Sequence, residues 1–176
     1  MDLPEFPYHP DPLATESVEA SDTQCASCGQ RRGFIYRGPA YSVEEVVDCL
    51  CPWCIADGTA AEKFAAEFTD VGWGVPPDVP PSVVQEVATR TPGFSGWQQE
   101  HWLYHCGDGA AFLGRAGWVE LQRYPEAIES LRQQVEVGAS EEPESYLREL
   151  DADGDTTAYL FQCRHCGSHL AYSDST

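Results

Sequence analysis

Cysteine recurs in one local pattern, C-x-x-C, at Cys25/Cys28, Cys51/Cys54 and Cys163/Cys166. Nothing else in the 176 residues limits the possible folds as tightly. Two thiolates two residues apart sit on one turn and aim at a single tetrahedral ion, about 2.3 Å from each sulfur. Segments far apart in the chain must then meet at that ion. Two of the pairs continue into glycine, as CASCG and CRHCG. Glycine there accepts positive φ, so backbone amides turn back on the sulfurs and offset their charge. The remaining pair, CPWC, opens a stretch that reads as a helix start, where the helix dipole would also stabilise a redox-active thiolate.

The order of parts favours metal over redox chemistry. Cys25 and Cys28 are followed by RGFIYRGPAYSV, whose alternation on both sides of Gly38-Pro39 predicts a β-hairpin. Cys51 and Cys54 then open the helical stretch. Turn, hairpin and helix start in that order make a treble-clef-like zinc module over residues 25–70. A thioredoxin-type dithiol needs a buried parallel strand ahead of it within a βαβ unit. The segment ahead of CPWC is SVEEVVDCL, where Ser42 and Glu45 have capping-box spacing and predict a short helix. A thiol-disulfide oxidoreductase using Cys51-Pro-Trp-Cys54 is the alternative.

Cys106, Cys163 and Cys166 supply three more thiolates, so a second zinc ion needs a fourth ligand. His105, adjacent to Cys106, is the first candidate. His101 is the second, since EHWLYHC as a helix would put it on the face of His105, and His169, just beyond Cys166, is the third. A different partition stays open: Cys25, Cys28, Cys163 and Cys166 could face each other as a zinc ribbon, leaving Cys51, Cys54 and Cys106 with His105. Two zinc ions are expected in either case. A zinc at Cys106 with two imidazoles and a water would instead be hydrolytic. Cys49 is read as a spare, buried as a small hydrophobe. His165, inside its turn, is expected to point outward.

The rest of the chain predicts an α+β fold with short hairpins and several short helices. Residues 1–24 form an extended segment packed through Phe6 and Tyr8, and residues 25–176 form one zinc-stabilised domain. Helices are expected from about Thr59, over Pro81–Arg90 and over YPEAIESLRQQV, with two strands flanking the last cysteine turn. Trp97, Trp102 and Trp118 are assigned to the core. DADGDT lacks the glycine and glutamate positions of an EF-hand loop and is a polar turn. Asp108 either fixes the tautomer of a ligand histidine or caps a helix through GDGAAFLG.

Charge excludes several functions. Ten Lys+Arg against 29 Asp+Glu give −19, with Lys63 the one lysine. That field repels phosphate backbones and anionic bilayers and favours, if anything, a basic protein partner. No apolar run reaches the roughly 18 residues of a membrane span. The acidic, proline-rich N-terminus does not read as a signal peptide, so a reducing cytoplasm is expected, where eight cysteines serve better as metal ligands than as disulfides. No phosphate-binding glycine loop, nucleophile elbow or H-E-x-x-H pair is present.

Taken together, LPEFPYHPDPL, CPWCIADGTAAEKF, RTPGFSGWQQEHW, HCGDGAAFLG and YLFQCRHCG resemble the CbrC family of uncharacterised bacterial proteins, named for a member linked to colicin tolerance. The resemblance implies a small soluble protein with zinc sites and no established activity. With the cysteine pattern, it makes a zinc-stabilised binding or adaptor protein the leading expectation.

Overall fold

The computed structural model describes residues 2–72, 74–138 and 143–176. A mixed helix and strand fold is organised around three packed clusters. In the first, β1 (Val18–Ala20) pairs antiparallel with β2 (Phe34–Tyr36), Val18 opposite Tyr36. The hairpin arms therefore flank the Cys25–Cys28 turn, not Gly38-Pro39. Beyond β2 the chain leaves the sheet, because Tyr36 folds over it and donates its hydroxyl to Pro39 O at 2.7 Å. Gly38 is obligatory there: a Cβ would lie 2.5 Å from the Tyr36 oxygen.

CPWC opens α1 (Pro52–Ala56), with proline in the first helical turn, where its missing N–H costs nothing. Gly58, at φ +81, breaks the chain before α2 (Thr59–Phe64), which stops where Ala65 turns left-handed at φ +46. SVEEVVDCL is not a helix. Ser42 hydroxyl bonds to the Glu44 carbonyl instead of capping, and Asp48 sits at φ +53. The carbonyls of Cys49 and Leu50 accept Ala26 N and Tyr36 N at 2.7 and 2.9 Å, so the end of the segment is held along the hairpin. α3 (Pro81–Arg90) forms as its spacing predicts, burying Val87 and Ala88.

The second and third clusters lie on the two faces of one sheet. β3 (Tyr104–His105) and β4 (Asp108–Gly109) form a small hairpin, and β5 (Ala111–Ala116) follows. EHWLYHC is thus extended, not helical. After α4 (Trp118–Leu121), α5 (Pro125–Gly138) and α6 (Pro143–Glu149), β6 (Thr156–Gln162) and β7 (His169–Ser175) complete an antiparallel sheet ordered β5-β6-β7. β6 shows why. Its side chains alternate, Tyr159 and Phe161 into an aromatic cluster with Phe94 and Phe112, Ala158 and Leu160 toward the helices. Both faces are covered, so the strand is buried nearly throughout and apolar from Ala158 to Phe161. Phe94 stacks on Phe112 at 3.8 Å between ring centroids. Each such side chain, fully buried, contributes roughly 1.5–3 kcal/mol of transfer free energy.

Trp102 is in this core and donates its indole N–H to Ala110 O at 3.0 Å. Trp118 is half-buried against the helical cluster. Trp97 is not in the core: 43% exposed, it donates to Gly154 O on the rim, where the indole N–H finds an acceptor. DADGDT is a turn closed on Asp151, whose carboxylate and carbonyl accept Asp153 N and Gly154 N. Both outer strands of the sheet are engaged. Tyr8 O accepts Phe112 N on β5, and the Gln134 amide bonds both N and O of Ser173 on β7 at 3.1 and 3.0 Å.

The N-terminal segment is fastened by side chains as well as by its backbone bonds. Phe6 and Tyr8 are buried. His9 is wholly buried, with Nδ1 2.7 Å from Pro92 O and Nε2 2.6 Å from Thr15 Oγ1. Among the described residues, no helix is long and apolar enough to cross a membrane.

Candidate metal centres

Cys25 and Cys28 lie on the turn inside the β1–β2 hairpin, where Gly29 takes φ +70 and donates its N–H to Cys25 O. Cys51 is the N-cap of α1, and Cys54 is in its first turn. Strand pairing and the bonds of Cys49 and Leu50 carry the helix start onto the turn, so the four sulfurs converge. Separations are 3.9 Å for Cys25–Cys54, 3.9 Å for Cys28–Cys51 and 3.6 Å for Cys51–Cys54. A tetrahedron of sulfurs about 2.3 Å from its centre has edges of about 3.8 Å. The match makes this group able to hold one tetrahedral ion.

Three of these sulfurs are buried and belong to the hydrophobic cluster; Cys28 is exposed. Cys51 N donates to Cys25 Sγ at 3.3 Å. The Cys51 thiol, hydrogen-bonded to Cys25, holds the Cys25 thiol down to about 4 and is itself raised well above the usual thiol range. Lys63 donates its ammonium to Ala26 O and Ser27 O at 2.7 and 3.2 Å, placing the one lysine of an acidic chain beside this turn. Sequence reasoning missed that role, although a lone cation in CPWCIADGTAAEKF is a usable signal.

The second group joins the tips of two hairpins. Cys106 and Gly107 are the two loop residues between β3 and β4, both at positive φ, +54 and +71. Two-residue hairpins favour such turns because their twist matches that of the strands. Positive φ at a cysteine nevertheless costs roughly 1–2 kcal/mol, which aims its sulfur off the hairpin end. Cys163 and Cys166 form the β6–β7 turn, closed by Cys163 N to Ser168 O at 2.8 Å and Gly167 N to Cys163 O at 3.0 Å. His105 Nδ1 lies 3.2 Å from Cys106 Sγ and 3.5 Å from Cys166 Sγ. Ideal sulfur–nitrogen edges around zinc are about 3.5 Å. His105, Cys106, Cys163 and Cys166 have their donor atoms within 4.8 Å of one another, as do the four sulfurs of the first group.

The second group is open to solvent, with Cys106 and Cys166 exposed. The Ser168 hydroxyl, 3.4 Å away, holds the Cys166 thiol down to about 6, while hydrogen bonding to Cys166 raises Cys106 to about 11. A bound cation would displace the remaining protons.

Neither reserve histidine joins the group: His101 stands edge-on to the Tyr172 ring, and His169 packs on Tyr124. The ribbon partition is not adopted, since Cys25 and Cys28 meet Cys51 and Cys54. Cys49, half-buried against the first cluster, joins neither group among the described residues, and burial raises its thiol.

Asp108 takes neither expected role. GDGAAFLG is strand, so there is no helix to cap. Its carboxylate instead meets the turn opposite: Oδ2 lies 2.8 Å from Arg164 and 3.0 Å from His165 Nε2, while Oδ1 accepts the Tyr8 hydroxyl at 2.9 Å. His165 faces outward as expected, its side chain 59% exposed, while its Nε2 reaches Asp108.

Three relatives share nearly all of this chain. The proteins named UPF0167 protein Mb2317 of Mycobacterium bovis and UPF0167 protein MT2352 of Mycobacterium tuberculosis are each 52% identical to it over 174 residues, covering 98% of this chain and 93% of theirs. UPF0167 protein PA1536 of Pseudomonas aeruginosa is 43% identical over 169 residues, covering 94% and 93%. No solved structure matches. A family model spans residues 3–175, which include all eight clustered donors, and by that match the chain belongs to the uncharacterised protein family UPF0167.

Proposed function

We propose that this chain is a zinc-stabilised binding protein of the bacterial cytoplasm, an adaptor for a protein partner, with two zinc ions as parts of its scaffold. In this reading the module of residues 25–70 is treble-clef-like: the cysteine turn and the helix start supply two thiolates each, and the hairpin arm Phe34–Tyr36 connects them. The observation that carries it is donor geometry. Four sulfurs stand at tetrahedral edge lengths in one group, and three sulfurs with one imidazole stand together in the other. Sets of this softness suit zinc, and closed four-donor sites hold folds together instead of activating water. That argues against hydrolysis at His105 and Cys106. A redox role at Cys51-Pro-Trp-Cys54 is opposed by burial: Cys51 and Cys54 are 0% and 2% exposed, with no access for a substrate disulfide.

The charge of −19 favours a basic partner surface. Colicin tolerance, suggested by the CbrC likeness, is the finer part of the reading, tested by colicin challenge of cells lacking the gene. The central test is metal analysis of protein purified without chelator, which should give about two zinc ions per chain. A chain free of zinc that reduces insulin disulfides would overturn the reading in favour of the redox enzyme.

A further inference from the structure

The two donor groups are built into the fold in different ways. In the first, Cys25, Cys51 and Cys54 are core residues, at most 2% exposed, so an ion there is sealed by the packing of its module. In the second, two sulfurs face solvent, and both hairpins that carry the donors are closed by backbone bonds of their own. β6 and β7 pair in unbroken register from Thr156↔Ser175 to Gln162↔His169, right up to the cysteine turn.

The hairpin tips are also tied to each other without any ion. Asp108, two residues beyond Cys106, pairs with Arg164 and His165, the two residues between Cys163 and Cys166. The carboxylate is only 11% exposed, and its other oxygen accepts bonds from Tyr8 and from Gly109 N, both at 2.9 Å. The Arg164 guanidinium lies over the Tyr8 ring at 4.4 Å. Charge, ring and hydroxyl together hold the tips in register. Arg164 and His165 are partly exposed, but removing Arg164 would leave the enclosed Asp108 carboxylate without its cation, so the contact does not open freely.

We propose that the second group is an exchangeable zinc site, pre-formed by the Asp108 latch, whereas the first group keeps its ion for as long as the fold lasts. This rests on the reading that both groups hold zinc. A competing chelator reaches Cys106 and Cys166 from solvent and takes over the ion one ligand at a time. Asp108 keeps the tips together meanwhile, so an ion can return without refolding. Asp108 is a positioning residue, acting through Arg164 and His165.

The test uses the zinc-loaded full chain, a colorimetric chelator in excess at neutral pH, and circular dichroism in parallel. One equivalent of zinc should be released while cooperative thermal unfolding persists, and the other only on denaturation. Zinc added back to the folded chain should restore the released equivalent. D108N should weaken the second equivalent about tenfold or more, as supporting residues of metal sites do, and leave the first unchanged. R164Q keeps the Tyr8–Asp108 bond and should act in the same direction, which preserves the test if D108N folds poorly. Simultaneous release of both ions, or second-site affinity equal to the parent in both variants, overturns the proposal while leaving two zinc ions per chain intact. A chain that takes up no zinc overturns this proposal and the reading beneath it together.

Discussion

His9 offers the most quantitative test of how the N-terminal segment is fixed. Wholly buried, it is held between Pro92 O and Thr15 Oγ1. Burial is the main reason its imidazole falls from 6.5 to about 4, against smaller opposing effects from the Pro92 carbonyl and the Asp11 charge. The folded chain therefore binds this proton more weakly than the unfolded chain. The stability it contributes is present above the unfolded value and is lost as pH falls toward the folded one. A gap of this size corresponds to about 3 kcal/mol in full, of which about 1.4 kcal/mol is already lost at about pH 5.5. Replacing His9→Gln keeps a donor and an acceptor but removes the titration. Urea unfolding of parent and H9Q at about pH 7.5 and about pH 5.5 gives four midpoints, and the parent should lose about 1.3 kcal/mol more than H9Q between them. Comparing the two chains cancels the carboxylates and the other histidines. Equal losses would refute the assignment of His9 as a buried neutral imidazole.

Three further substitutions bear on the first module. Gly93→Ala would put a Cβ 1.8 Å from Phe68 O and 3.0 Å from the Tyr36 oxygen, so the chains must part and the buried bonds of Tyr36 must break. A loss of about 3 kcal/mol or more is expected in the denaturant midpoint, and an unchanged midpoint would show that the contact is relieved elsewhere. Cys51→Ser should remove one zinc equivalent and abolish cooperative unfolding, whereas Cys49→Ser should leave both zinc ions and the transition in place; metal analysis with calorimetry separates them.

The cysteine turns were legible because their geometry is local. C-x-x-C-G carries its own hydrogen bonds, and the expected order of turn, hairpin and helix start favoured Cys25, Cys28, Cys51 and Cys54 as one group beside the ribbon alternative, although the hairpin that forms encloses the Cys25–Cys28 turn instead of following it. His105 as the companion of Cys106 followed from adjacency. What failed was local propensity set against distant partners. Ser42 and Glu45 have the spacing of a helix cap, but Cys49 and Leu50 carbonyls are claimed by Ala26 and Tyr36, and a helix would have withdrawn them. The strand that pairs with Phe34–Tyr36 is Val18–Ala20, too short to announce itself and separated from its partner by the cysteine turn. Asp108 was read through its neighbours in sequence, while its partners are Tyr8 and Arg164, reached only after the sheet has formed. An arginine inside a thiolate turn of a chain with ten cations was the overlooked signal.

The bonds of Tyr8 to β5 and of Gln134 to β7 bear on how another protein can be recognised. A peptide that seeks to lengthen this sheet finds backbone positions already taken on both flanks, one by a main-chain carbonyl and one by a carboxamide imitating a neighbouring strand. Recruitment by strand addition, and the fibrillar self-association that follows the same route, are thereby obstructed. At this sheet a companion is left with side chains to read, and among the charged ones of this molecule acids outnumber cations 29 to 10.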